Sequence, residues 1–101
     1  MRYVLLMYGD WAWPTGADSY EAHNGFIELL KSRGAYVDGE ELTGPGRAVS
    51  LRDELRADGP FAESTERLCG FYLIDARDLD EAIELAKACP EPTVEVRPVV
   101  G

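Results

Sequence analysis

One histidine and one acidic corner carry most of the chemistry this chain could offer. His23 is the only histidine in the sequence, and imidazole is the side chain that exchanges protons near neutral pH. The tetrapeptide Asp58-Gly59-Pro60-Phe61 places a carboxylate on a fixed turn. Proline fixes its own φ and turns its predecessor away from the helical region, which glycine accepts without a Cβ clash. Pro60 has no N–H, so the Asp58 carboxylate is left to cap the Phe61 amide or a neighbour. Read alone, the corner is either a structural clasp with Phe61 as its plug or one half of a site, and turn chemistry favours the clasp. His23 is likewise either a satisfied core residue or a proton carrier that needs a carboxylate from another segment to orient it.

Aromatic residues surround these two in the sequence. Tyr8, Trp11 and Trp13 either wall a small apolar ligand site or pack in a dimer, and Phe61 and Tyr72 complete the candidate substrate-binding set. One histidine with scattered carboxylates is no diagnostic metal-ligand pattern, so no metal is expected. No cofactor motif is evident. Gly44-Pro45-Gly46 contains a proline and lacks the lysine and hydroxyl of a phosphate loop. Cys69 falls within an expected buried strand, where a thiol is inert.

Composition narrows the partners. A chain of 101 residues is expected to form a single domain over 1–101. Hydrophobic residues make up 46%, which fits a globular core. With 19 acidic and 10 basic residues the net charge is −9, a field that repels nucleic acid and anionic membrane. The apolar run Tyr3 to Tyr8 is too short for a secretory signal or a membrane span and reads as a strand. Cys69 and Cys89 form no metal spacing or disulfide framework, so free thiols and a cytoplasmic location are expected.

The elements that must position these groups follow from periodicity. Arg2 to Tyr8 reads as a strand with both faces apolar. Asp18 and Glu21 open a helix that Gly34 ends, with Tyr20, His23, Phe26, Ile27 and Leu30 on one stripe. Ala35 to Leu42 reads as a polar edge strand, and Thr43 to Arg67 as an irregular excursion. Within it, Ala48 to Ala57 is either a short hairpin or a helical turn begun by Ser50 and Asp53. Leu68 to Asp75 is a second strand apolar on both faces. Asp78 and Glu81 open a second helix with a stripe of Leu79, Ala82, Ile83, Ala86 and Cys89, stopped by Pro90. Thr93 to Val99 alternates as a strand with one wet face. The order is α+β and ferredoxin-like, βαββαβ with an antiparallel sheet. Its open apolar face calls for a second copy, giving a homodimer.

Asp58-Gly59-Pro60-Phe61-Ala62-Glu63, Gly70 to Asp75, Asp78 to Ala82 and Val94 to Pro98, with Tyr3 to Gly9 and Ala22-His23, resemble the DGPF-domain branch of the YCII-related family. The resemblance spans nearly the whole chain. It implies a dimeric α+β barrel of ferredoxin-like protomers and a site in which a helix-one histidine pairs with an aspartate, here His23 and Asp58. A YCII-like segment also occurs in a dehydrochlorinase acting on chlorinated hydroxyquinols, which implies acid–base lyase chemistry. Other members lie beside sigma-factor genes, but the acidity of this chain argues against DNA contact. The family's Asp-Gly hairpin turn is replaced here by Asp53-Glu54 in a shorter segment. Three functions compete. One is a cofactor-independent lyase or hydrolase acting on a small, partly aromatic molecule. The others are a non-catalytic ligand-binding or regulatory module and a structural dimer in which His23 and Asp58 satisfy each other.

Overall fold

Alternation along the two most apolar strands sets the architecture. In the computed structural model, which describes residues 1–9, 17–60 and 67–101, β1 (Arg2–Gly9) buries Tyr3, Leu5 and Met7 and leaves Val4, Leu6 and Tyr8 half-covered. Strand β2 (Tyr36–Glu41) follows helix α1 (Ala17–Ser32), and a hairpin of β3 (Val49–Arg52) and β4 (Leu55–Asp58) leads toward β5 (Arg67–Asp75). Helix α2 (Leu79–Lys87) and β6 (Thr93–Pro98) complete the chain. The main sheet has the order β2-β5-β1-β6, every pairing antiparallel, with β1 and β5 at its centre. This is the expected ferredoxin-like order.

The helices cover one face only. Leu5, Leu30 and Ile74 are fully buried there, with Phe26, Tyr72, Ala82 and Leu85 around them. The other face carries an apolar stripe of Val4, Leu6, Phe71 and Leu73, flanked by Asp38 and Glu40 on one edge and Glu95 and Arg97 on the other. That stripe is only partly covered within one chain.

Local chemistry explains the element ends. Gly34 takes φ +66, and the Ala35 and Gly34 amides donate to the Leu30 and Lys31 carbonyls, a Schellman stop. Asp78 caps α2 by accepting from the Glu81 amide at 2.9 Å, while the Glu81 carboxylate reaches back to the Arg77 amide. The expected Asp18 cap involves a side chain outside the described residues. Tyr20, Leu79 and Ile83, expected on the buried stripes, are exposed at 57%, 46% and 38%. Tyr20 and Leu79 sit in the first turns of their helices, and Leu85, unassigned in the sequence pattern, fills the core under α2 instead.

The excursion contains a hairpin and no α-helical turn over Ala48 to Ala57. Its turn residues Asp53 and Glu54 both take positive φ, 51° and 68°, without a glycine. This is the backbone of a tight primed turn, which the right-handed twist of paired strands demands even of residues that adopt it at a cost.

Candidate active site

His23 projects from the second turn of α1 and is held at both ring nitrogens. Nδ1 lies 2.8 Å from the Tyr72 hydroxyl, and Nε2 lies 2.7 Å from Glu91 Oε1. The carboxylate can only accept, so Nε2 carries a proton, and in the neutral imidazole Nδ1 accepts from the Tyr72 O–H. The His23 and Glu91 side chains are 19% and 17% exposed, so the pair is mostly covered but not sealed from solvent.

Tyr72 is the buried anchor. It stands on the helix-covered face of β5, stacked with His23 at 5.9 Å between centroids and edge-on to Phe26 at 5.1 Å. A Cβ on Gly39 would lie 2.6 Å from its ring, so the edge strand must carry glycine opposite it. Burial pushes the Tyr72 hydroxyl well above the ordinary phenol range, and nearby anions, Glu91 and Glu41 among them, push the same way. The hydroxyl is a fixed donor rather than a titrating group.

Glu91 comes from the turn between α2 and β6, bracketed as Pro90-Glu91-Pro92. The sequence reasoning missed it. The available signal was an acid pinned between two prolines, whose restricted φ values leave little freedom to swing away. Its charge also acts on the two thiols. Burial and then Glu91 push Cys89 up to about 12, and the same two causes raise Cys69.

The structure brings His23 and Tyr72 together and keeps other candidates apart. Asp58 does not meet His23 within the chain. It ends β4 on the projecting hairpin, 88% exposed, with Arg56 3.6 Å away. Within one chain the partners of His23 are Tyr72 and Glu91. The corner is clasped instead by Ser50, whose buried hydroxyl donates to the Gly59 carbonyl, with the Gly59 amide on Ala48 O at 2.7 Å and Gly59 at φ +97. Tyr8 lies across the sheet from His23, on the open face, its hydroxyl 3.5 Å from Glu95. Trp11, Trp13 and Phe61 lie outside the described residues. Among the described residues, no group of three or more His, Cys, Asp or Glu could hold a metal ion, and no helix is long and apolar enough to cross a membrane.

Comparison with known proteins gives this geometry a context. An uncharacterized protein, R00369, from Rhizobium meliloti (strain 1021) is 33% identical over 97 residues, covering 86% of this chain and 78% of that protein. Among solved structures, 5-chloro-2-hydroxyhydroquinone dehydrochlorinase (TftG) from Burkholderia phenoliruptrix AC1100, in complex with 2,5-dihydroxybenzoquinone, superposes with a TM-score of 0.54. That match covers 99% of this chain and 94% of the dehydrochlorinase at 19% identity, which establishes a shared fold. The YCII-related domain model matches residues 1–100, and with it the chain belongs to the YCII-related family.

Proposed function

We propose that this protein, a member of the DGPF branch of its family, is a cofactor-independent acid–base enzyme of lyase or hydrolase type. It acts on a small, partly aromatic molecule, and His23 is its proton carrier. The observation that carries this reading is the Tyr72–His23–Glu91 chain. A phenol that stays protonated fixes one ring nitrogen, and the Glu91 carboxylate holds the proton-bearing other one. Substrate reaches the His23–Glu91 pair. The Glu91 carboxylate takes a proton from a substrate carbon or hydroxyl. The electron pair left behind forms a double bond as the leaving group departs with the Nε2 proton of His23, which the protonated Glu91 then replaces. General acid–base catalysis of this kind contributes about a hundred- to ten-thousand-fold. The shared fold with a dehydrochlorinase that binds a quinone supports the substrate class.

The working form in this reading is a cytoplasmic homodimer. Its interface is the open face, where Val4, Leu6, Phe71 and Leu73 otherwise stay wet. The projecting hairpin, with Val49, Leu51 and Leu55 exposed, lies against the second copy and delivers Asp58 to that copy's His23. The test is turnover of small hydroxylated quinones and chlorinated hydroxyquinols. The wild-type protein consumes at least one, and His23→Ala loses about a hundredfold or more. Equal turnover by His23→Ala refutes the assignment.

A second reading rests on the same pair of bonds. Because both ring nitrogens are already partnered, His23 also suits a non-catalytic ligand-binding or regulatory module. A ligand recovered unchanged, with binding that survives His23→Ala, favours it.

A further inference from the structure

Arg67 begins β5 opposite Gly9. Its Nη1 is sealed from solvent and has no hydrogen-bond partner, although the chain carries 19 carboxylate side chains. A buried charged donor without an acceptor is expensive, and native proteins keep few of them. Among the described residues, the acids near it do not answer it. Glu91 and Glu41 lie near enough to act on the Cys69 thiol two residues along the strand, yet Glu91 is engaged by His23 and neither forms an ion pair with Arg67.

The register places this guanidinium at the chemical end of the sheet. Tyr72 and Gly70 face the helices, and the β5 irregularity at Cys69 brings Arg67 back to that same face. Gly70 carries no side chain, so between Tyr72, which holds His23, and Arg67 only the small Cys69 side chain stands on β5, its sulfur 3.2 Å from where a Gly9 Cβ would lie. As a residue Arg67 is only partly buried. A guanidinium offers a planar fork of donors that matches a planar oxyanion in two parallel bonds.

We propose that Arg67 is the anion-recognition residue of the His23 site and that the substrate enters as a planar oxyanion, an aromatic carboxylate or an ionised ring hydroxyl. The inference rests on the acid–base reading above and names its substrate class. A chain of net charge −9 repels anions at long range, so a local fork of donors must supply the recognition. Arg67 holds the oxyanion while the ring carbon beside it faces the His23–Glu91 edge.

Calorimetric titration of the full chain tests this with 2,5-dihydroxybenzoquinone, which is anionic at neutral pH, with benzoate, and with neutral 1,4-dihydroxybenzene. The wild-type protein is expected to bind at least one anionic ring and to prefer it to the neutral one by about tenfold or more, with affinity falling as salt rises. Arg67→Met is expected to lose about tenfold or more, and Arg67→Lys to keep part of the affinity. If Arg67→Met fails to fold, the Lys variant and the salt dependence of the wild type decide. Undiminished binding by Arg67→Met, equal binding of the neutral ring, or no binding of either anion overturns the inference. Turnover lost in His23→Ala but unchanged in Arg67→Met removes Arg67 and leaves the acid–base reading standing. Arg67-dependent anion binding with turnover indifferent to His23→Ala does the reverse.

Discussion

Removing the Glu91 carboxylate tests whether the His23 contacts organise this end of the sheet. The pair is close, 2.7 Å, and about one-fifth exposed. A neutral Nε2–H donating to a carboxylate is a hydrogen bond with one charged partner, worth about 1.5–3 kcal/mol. Glu91→Ala should therefore cost about 2 kcal/mol, lowering the melting temperature of a chain this size by roughly 10 °C. Glu91→Gln keeps an oxygen to accept from Nε2 and should cost about 1 kcal/mol. Tyr72→Phe removes the donor to Nδ1 while keeping the ring packing and should also cost about 1 kcal/mol.

Urea denaturation at neutral pH, followed by tryptophan fluorescence, gives each value. The double-mutant cycle His23→Ala/Glu91→Ala isolates the contact. A coupling energy of about 1–2 kcal/mol is expected, because each single variant already strands the other's polar atom. A coupling below about 0.5 kcal/mol would mean that the contact is a surface pair of little consequence, and the argument that Glu91 orients His23 would fall.

Other perturbations follow from the same structure. The Cys89 thiol keeps its proton to about 12 in the fold, against 9.0 ordinarily. The unfolded chain therefore releases that proton first, and stability should fall as pH rises from about 9 toward 12, with Tyr72 adding the same sign above about 10. Urea midpoints across that range should decline less steeply in Cys89→Ala. Glu54→Gly should stabilise the hairpin by about 1 kcal/mol, since its φ of 68° suits glycine, and amide exchange across β3 and β4 should slow. Replacing Leu6 by Asp should leave the protein monomeric in sedimentation if the open sheet face is the interface. A dimer that survives this change places the interface elsewhere.

The sheet was legible because β1 and β5 announce themselves. Each alternates two apolar faces, and only a central strand can use both. Phe26 and Leu30 were equally plain at helical spacing. The hairpin was not, because its strands are only four residues long and its turn lacks the glycine that marks such turns. The site was half legible. His23 and Tyr72 were both singled out, but their contact spans 49 positions and depends on β5 register. Glu91 reaches His23 across 68 positions from a turn with no periodicity to read. Asp58 drew attention through its rigid neighbours, yet rigidity in that corner belongs to Gly59 and the Ser50 clasp, while the carboxylate itself points to solvent.

That solvent-facing carboxylate leads to the sharpest test of the proposed dimer. Within one chain Asp58 and His23 do not meet, so any joint action must cross between copies. Co-expressing His23→Ala and Asp58→Asn chains in equal amounts makes about half the dimers mixed by simple statistics. In a mixed dimer, the intact His23 of one chain faces the intact Asp58 of the other, restoring one of its two sites. The preparation should then recover about a quarter of wild-type turnover, although each variant alone is impaired. If Asp58 serves its own chain, every site in the mixture lacks one group and nothing is recovered. If Asp58→Asn alone is fully active, the residue is a hairpin surface group, and proton transfer belongs to His23 and Glu91 without it.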